Sequence, residues 1–314
     1  MKIWFLLGPL AALVLLAAVE VGLRLVFGFG NPPLYLADEE IGYVLAPNQR
    51  LRRFGNRIQI NEYAMRSAAI APLPGVDTMR LLLLGDSLAN GGWWTDQADV
   101  LSARIAAQLE SALPPDARRV EVLNASANSW GPRNELAYLE RYGTFGASVL
   151  ILMLNTDDLF GTQPTSLQVG HDHRYPNQKP ASAIAEVIGR YFKKDQPVPG
   201  LEEIQAEGGD RVGKNLAAIS AIYDRAVAAE AEFILVLSPL RRELAGPRDY
   251  ELVARERLMD WATAAGIPYL DLLPTYQQQD SPEALYRDHI HLSPAGNELV
   301  SKAIARIISP LLSP

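Results

Sequence analysis

Short apolar runs alternate with helix-like patterns from Arg80 to the end of the chain. The continuously apolar runs are 80–85, 120–126, 148–155, 232–238 and 267–272. Apolar residues recur with helical spacing in the segments 98–112, 133–142, 212–230, 249–265 and 293–309. Strands that are apolar on both faces, with helices between them, are typical of a parallel sheet covered by helices on both sides. The pattern predicts an α/β fold with a doubly wound, flavodoxin-like parallel sheet.

The N-terminal segment is one long apolar run rather than a series of short ones. Residues 3–19 have no charged side chain, and the apolar character continues to about residue 27. Such a run lies at the lower end of what spans a bilayer, and it is longer than the apolar region of a usual signal peptide. We expect an uncleaved transmembrane anchor over 1–27, with the rest of the protein outside the cytoplasm. A cleaved signal peptide and a buried soluble helix are the alternatives.

The rest of the chain divides into segments of different residue composition. Residues 28–78 are rich in Gly, Pro and polar side chains, which suggests a connecting arm, and its alternating stretch "NRIQINEYAMRS" suits an edge strand or a hairpin. Residues 79–314 form the predicted α/β domain. An irregular insertion, 161–210, follows the third strand, at the sheet edge where ligand crevices form in such folds. This insertion either shapes a substrate pocket or is a surface elaboration.

Composition and charge exclude several classes of function. The 314 residues are 48% hydrophobic, which permits a sizeable core. The net charge is −7, the pI is near 5.2 and no basic block is present, so nucleic acid is not an expected partner. The chain has no cysteine, which excludes disulfides, thiolate metal sites and cysteine nucleophiles.

Two short segments carry the chemistry. Ser87 stands in "LLLLGDS", directly after the first predicted strand, and a serine becomes a nucleophile only when a base takes its proton. His291, in "DHIHLSPAGN" before the last helix, is the candidate base. Asp288 stands three residues earlier and could orient the imidazole. Both segments fall at the carboxyl edge of the predicted sheet. His289 is the alternative base.

These two blocks resemble the SGNH, or GDSL-type, hydrolase superfamily, whose first block is Gly-Asp-Ser and whose last is Asp-x-x-His. The resemblance covers roughly residues 80–310. It implies that Ser87 attacks an ester carbonyl, that His291 acts as base and then as acid, and that Asp288 orients the histidine. No cofactor and no metal are implied.

The resemblance also implies an oxyanion hole built from three donors: the N–H of Ser87, the N–H of a glycine in a second block, and an asparagine side chain in a third. In this chain Ser129 stands at the glycine position, and "LMLNTDDL" places Asp157 at the asparagine position. An ionised carboxylate accepts hydrogen bonds but cannot donate them. Either Asp157 is protonated, or Asn155 or Asn128 supplies the amide instead, or the site no longer hydrolyses efficiently.

Two further clusters are candidates for binding. Trp93 and Trp94 follow the nucleophile and could form a stacking platform for a sugar ring, or they could be core residues. His171 and His173, with Asp172 between them, are residue types that bind metals, but adjacent residues in an irregular loop are more often solvated. We predict no metal site.

Three functions are consistent with these features. The first is a membrane-anchored serine esterase that cleaves a small acyl ester, such as acetyl, from an envelope glycan or lipid. The second is an O-acyltransferase acting on a surface polysaccharide, and the third is a non-catalytic assembly or binding protein. We favour the esterase, because an inactive site has no need to retain Ser87, Asp288 and His291 together. The oligomeric state is left open.

Overall fold

The computed structural model describes residues 2–112, 119–194 and 196–312. Its strands, in chain order, are β1 (Tyr35–Asp38), β2 (Gly42–Leu45), β3 (Gln49–Arg53), β4 (Asn56–Ile60), β5 (Thr78–Gly85), β6 (Arg119–Ser126), β7 (Val149–Asn155), β8 (Glu232–Ser238) and β9 (Tyr269–Asp271). Its α-helices are α1 (Lys2–Gly22), α2 (Ser87–Asn90), α3 (Leu101–Ala112), α4 (Pro132–Tyr142), α5 (Ala183–Tyr191), α6 (Leu201–Gln205), α7 (Arg211–Ala228), α8 (Asp249–Ala264), α9 (Leu272–Gln277) and α10 (Pro294–Ile308).

A five-stranded parallel sheet organises the main domain. Its strand order is β6-β5-β7-β8-β9. Of these five strands, β5 comes first along the chain and lies inside the sheet, and β6 comes second and lies at its edge. This is the flavodoxin-like order, and it confirms the predicted fold class. Residues of β5 alternate between two apolar cores: Leu82 and Leu84 belong to one, Leu81 and Leu83 to the other. Helices on both faces therefore explain why the strand is apolar throughout.

The segment before the sheet forms two antiparallel hairpins. β1 pairs with β2 and β3 with β4, and the alternating stretch noted in the sequence contains β4. The hairpins pack tightly on the main domain, since Ile41, between β1 and β2, and Ile60, in β4, are buried in one of the two cores. The arm therefore contributes to the core as well as connecting.

The N-terminal helix has the length and composition of a membrane span. The 20 residues Gly8–Phe27 have a mean hydropathy of 2.3, and none of that window is buried in the protein. Its last part, Leu23–Phe27, is π-helical and ends at Gly28. By these criteria α1 is either a membrane anchor or a signal sequence.

Candidate active site

The turn after β5 presents Ser87. A Cβ atom at Gly85 would lie 2.8 Å from the carbonyl oxygen of Met153 and 2.9 Å from the Cβ of Ala89. Only glycine fits this close approach between β5, β7 and α2. The strand can therefore turn directly into α2, and Ser87 is the first residue of that helix at the carboxyl edge of the sheet.

Asp86 shapes this turn. Its Oδ1 accepts the N–H of Leu88 at 2.8 Å and so caps α2. The hydroxyl of Ser87 lies 3.3 Å from Asp86 Oδ2. Burial raises the pKa of the Asp86 carboxyl, although the N–H of Leu88 and the imidazole of His291 partly offset that increase.

The loop before α10 brings His291 to the serine. His291 Nε2 lies 2.9 Å from Ser87 Oγ, and His291 Nδ1 lies 2.9 Å from Asp288 Oδ2. Asp288 Oδ1 also accepts the backbone N–H groups of Ile290 and His291, which fixes the carboxylate under the ring. The alternative base, His289, has a side chain that is 85% exposed, and its Nδ1 is 3.8 Å from Asp288. The structure thus places His291 against Ser87.

The environment of Asp288 favours the ionised form of its carboxyl group. Partial burial alone would raise its pKa, but hydrogen bonds from the N–H groups of His291 and Ile290 and from the His291 side chain bring the pKa below its usual value. Asp288 therefore stays ionised at neutral pH and can stabilise a protonated His291.

Buried carboxyl groups lie behind the nucleophile. The Nδ2 group of Asn155 donates to Asp86 Oδ2 at 3.0 Å and to Asp158 Oδ2 at 2.8 Å. Burial, and to a smaller extent the charge of Asp86, raises the pKa of Asp158 well above its usual value. Because both donor positions of the Asn155 amide are taken by carboxyl groups, Asn155 connects the nucleophile turn to the third block.

Asp157 lies on the solvent side of the same block. Its side chain is exposed, and its N–H donates to Asn155 Oδ1 at 2.8 Å. Desolvation and the charge of Glu251 raise the pKa of Asp157 above its usual value, although the positive charges of Arg242 and Arg248 partly offset that increase. In its ionised form this carboxyl group accepts hydrogen bonds and cannot donate one through its side chain.

The second block is held by two tyrosines. Ser129 has φ of 58°, in the left-handed region that favours glycine, which agrees with the glycine that the resemblance implies at this position. The hydroxyl of Tyr175, in the insertion, donates to Ser129 Oγ at 2.9 Å. The hydroxyl of Tyr43, in the arm, donates to the carbonyl of Asn128 at 2.6 Å. Among the described residues, Oδ1 of Asn128 is buried without a hydrogen-bond partner.

Trp93 and Trp94 lie beside the histidine. The ring of Trp94 is 4.5 Å from the ring of His291, and the guanidinium of Arg287 lies 5.0 Å from Trp94 and 5.5 Å from Trp93. Both indoles are only partly buried. A Cβ at Gly92 would lie 2.5 Å from the Trp94 ring, so glycine allows the indole to fold back over the loop.

A buried arginine that belongs to none of the sequence motifs holds the loop that carries Trp93 and Trp94. Arg66, from the arm, donates to the backbone carbonyls of Asn90, Gly92 and Thr95, with Nη–O distances of 2.5–3.2 Å. Burial lowers the pKa of Arg66 to about 10, which leaves the side chain charged at neutral pH. The contact crosses more than twenty residues of sequence, so periodicity and spacing contain no signal for it.

These elements surround a cavity of about 770 Å³. The predicted site residues that line it are Ser87, Trp93, Trp94, Asn128, Ser129, Asn155, Asp157 and His291. The insertion contributes Tyr175 and Arg190 to the wall. A cavity of this volume accommodates an ester with a sizeable alcohol part.

The histidines of the insertion have other contacts. His171 Nδ1 lies 3.0 Å from the carbonyl oxygen of Leu167, and Asp172 forms an ion pair with Arg174. Within the described ranges, no cluster of three His, Cys, Asp or Glu side chains has the arrangement of a metal site.

The sequence matches the model of the GDSL-like lipase/acylhydrolase family over residues 83–299, which is more than half of the chain. This match spans both the serine and the histidine blocks. The chain belongs to this family. It is accordingly an SGNH-type hydrolase that acts on ester bonds.

Solved structures with a similar fold include three esterases or lipases. A lipase/acylhydrolase from Enterococcus faecalis is 16% identical, with 75% of this chain and 98% of that chain covered and a TM-score of 0.48. The acetyl xylan esterase AlAXEase is 12% identical, with coverages of 73% and 100% and a TM-score of 0.49. The psychrotrophic esterase EstA of a Pseudoalteromonas species is 14% identical, with coverages of 74% and 98% and a TM-score of 0.43. No curated protein matches the sequence.

Proposed function

We propose that this hydrolase is a membrane-anchored serine esterase that removes a small acyl group, such as acetyl, from a glycan or lipid of the cell envelope. The observation that carries the catalytic part is the hydrogen-bonded series Ser87 Oγ, His291 and Asp288, with 2.9 Å at each link. This is the geometry in which a histidine can activate a serine hydroxyl.

In the proposed reaction, Ser87 Oγ attacks the ester carbonyl while His291 Nε2 takes the hydroxyl proton. The tetrahedral intermediate collapses, and His291 returns the proton to the leaving alcohol, which gives an acyl-enzyme on Ser87. Water, deprotonated by His291, then releases the acyl group as a carboxylic acid. Asp288 keeps the imidazole in the correct tautomer and stabilises its protonated form throughout.

The oxyanion of each intermediate needs hydrogen-bond donors. We assign the backbone N–H groups of Ser87 and Ser129 and the side-chain amide of Asn128 to this role. Asn128 lines the same cavity as Ser87, whereas the amide of Asn155 is already donated to two carboxyl groups. The ionised side chain of Asp157 would repel a developing oxyanion, so it contributes no donor.

The alcohol part of the ester binds, in this proposal, against Trp93 and Trp94. Partly exposed indoles beside a catalytic histidine offer a flat apolar surface on which a sugar ring can stack. Arg287 lies over both rings and would limit their movement. The helix α1 would hold this site at the outer face of the membrane.

The test is labelling of the full-length protein, in detergent, with a fluorophosphonate probe, followed by turnover of p-nitrophenyl acetate. We expect the wild type to be labelled and active, and Ser87→Ala and His291→Ala to lose both properties. His289→Ala is the matched control, because this histidine is two residues away and exposed, and it should behave as the wild type. A folded wild type that the probe does not label would overturn the proposal.

A further inference from the structure

Helix α5 in the insertion has an apolar face turned towards solvent. The exposed fractions of Ile188, Tyr191 and Phe192 are 46%, 61% and 78%, and Ala185, on the same side of the helix, is also exposed. The side that packs on the protein carries Glu186, which is buried. A surface helix of a soluble domain has the opposite arrangement, with its apolar stripe inward. An outward apolar stripe is typical of helices that lie in a membrane interface.

The position of α5 relative to the membrane helix is fixed by hydrogen bonds. Glu20, near the end of α1, accepts the N–H of Ala183 at 2.9 Å and the N–H of Ile184 at 3.0 Å, so it caps the first turn of α5. The uncharged residues 3–19 cover about 26 Å as a helix, slightly less than the hydrocarbon core of about 30 Å. If the uncharged residues 3–19 fill the hydrocarbon core, then Glu20 and the α5 N-terminus lie at the boundary with the headgroups, and the apolar residues up to Phe27 lie along that boundary.

The apolar surface continues from α5 to the end of the membrane helix. Phe29, which is itself buried, packs beneath this surface and contacts both parts of it, with its ring 6.3 Å from Tyr191 and 6.3 Å from Phe27. Phe27 in turn contacts Phe54, at 5.7 Å, and these two side chains are 40% and 38% exposed. A soluble protein surface seldom has several large apolar side chains exposed next to one another without a partner.

Two basic side chains border this surface. Lys193 and Lys194 follow Phe192 directly, and both are exposed. Lysines at the edge of an apolar surface are attracted to the anionic headgroups of a membrane. The charge of the two lysines and the apolar character of the surface therefore both favour contact with a lipid bilayer.

We propose that Ile188, Tyr191 and Phe192, together with Phe27 and Phe54, form a lipid-contacting surface that lies on the same bilayer that α1 enters. The inference rests on the membrane anchoring of the proposed function. It adds that the hydrolase domain is held flat against the membrane rather than tethered above it.

This contact would place the catalytic cavity beside the bilayer. The ring of Phe54 is 4.9 Å from Trp93, Trp93 is 5.7 Å from Trp94, and Trp94 is 4.5 Å from His291. A continuous series of aromatic rings thus joins the lipid-contacting surface to the catalytic histidine. Esters held at the membrane surface are the class of substrate that a cavity in this position can reach.

The absence of native cysteine makes a direct test possible. The full-length chain, as Phe192→Cys or Ile188→Cys, is labelled with an environment-sensitive fluorophore and reconstituted into phosphatidylcholine vesicles that contain lipids spin-labelled near the headgroup. Val76→Cys is the matched control. Val76 is 95% exposed and precedes β5, so it lies at the amino edge of the sheet, opposite the catalytic edge. Turnover of p-nitrophenyl acetate is measured on the same samples.

We expect the spin-labelled lipids to quench the fluorophore at positions 188 and 192 at least threefold more strongly than at position 76. Equal quenching at all three positions, or failure of the chain to remain in the vesicles, overturns the inference. Strong quenching in a protein without esterase turnover contradicts the proposed reaction but not the membrane contact. Turnover without quenching contradicts the membrane contact but not the proposed reaction.

Discussion

At the scale of single residues, Asp157 raises the sharpest question about catalysis. The family resemblance expects an amide donor at this position, and the structure presents an exposed carboxylate near two arginines. The neighbouring amide, Asn155, is not available, because it bridges the carboxyl groups of Asp86 and Asp158. A hydrolase that lacks this donor must obtain it elsewhere on the cavity wall, and we assign it to the amide of Asn128, which lines the cavity together with Ser87 and Ser129.

Replacing Asn128 tests that assignment. We expect Asn128→Ala to lower kcat for p-nitrophenyl acetate by about 100-fold with little change in KM, as for the loss of one oxyanion donor. Asp157→Ala should leave kcat within about threefold of the wild type. Asp157→Asn in the Asn128→Ala background introduces an amide at the expected position, and part of the lost kcat should return. Wild-type kcat in Asn128→Ala would show that the donor lies elsewhere.

Glu135 is a second residue with an unusual environment. It is fully buried in the first turns of α4, and within the described part of the chain neither carboxyl oxygen has a hydrogen-bond partner. Burial, and to a smaller extent the charge of Asp86, raises its pKa well above the usual value. The folded protein therefore holds a proton on Glu135 that the unfolded chain releases at a lower pH.

This difference makes stability depend on pH with a definite sign. Because the native state binds the extra proton, stability falls as the pH rises above about 4.5, the ordinary pKa of glutamate. Glu135→Met removes the titrating group and keeps its size. We expect the variant to gain stability over the wild type as the pH increases, by about 1–3 kcal/mol at pH 8.

The check is thermal unfolding at pH 5 and pH 8. The gain in Tm of Glu135→Met should be larger at pH 8. Glu140→Met, on the same helix but half exposed, is the control and should show no such increase. A gain that is the same at both pH values would mean that Glu135 does not titrate in this range.

At the scale of elements, the sequence pattern predicts the strands and helices whose buried residues recur at regular spacing. β8 begins and ends at the predicted residues, and α4, α8 and α10 agree with their predicted segments to within one residue at each end. Their apolar positions face one core or both, so the buried faces are visible in the sequence as periods of the strand or the helix. The proximity of Ser87, His291 and Asp288 could be expected for a different reason, since these residues fall in two short motifs.

Other elements depend on contacts that periodicity does not encode. The strands β1 and β2 lie in a segment rich in Gly and Pro, and α5 carries its apolar face outward, so neither has the pattern of a core element. Arg66 shows the same limit for the site: a buried arginine holds the tryptophan loop through backbone carbonyls that any sequence would supply. Such positions become evident only when the tertiary structure is known.

At the scale of the whole molecule, α1, the arm and the insertion form one connected unit. Glu186 of α5 is buried and accepts hydrogen bonds from Arg53 at 2.8 Å and from the N–H of Gly30 at 2.6 Å. Glu20 caps the same helix from α1. Since Arg190 of α5 also lines the cavity that contains Ser87 and His291, the end of α1 is connected to the candidate active site through a single short helix.

Removing the contact from α1 should therefore loosen α5. Ser182 is the N-cap of α5 and accepts the N–H of Ala185, while Glu20 accepts the N–H groups of Ala183 and Ile184 in the same first turn. A capping interaction stabilises a helix by about 1 kcal/mol, and a helix of nine residues depends strongly on such contacts. We expect Glu20→Ala, in the full-length protein in detergent, to increase the rate of proteolytic cleavage within residues 183–191 several-fold. A fragment that begins at residue 28 should show the same increase, because it lacks Glu20 altogether.

Two variants separate capping from a general loss of stability. Glu20→Gln keeps one acceptor oxygen and should give an intermediate cleavage rate, while Val21→Ala, at the neighbouring exposed position, should leave the rate unchanged. Cleavage of α5 at the wild-type rate in Glu20→Ala would show that the Ser182 cap and the Arg53–Glu186 pair hold the helix without Glu20. In that case α1 would be joined to the domain without ordering the insertion that borders the cavity.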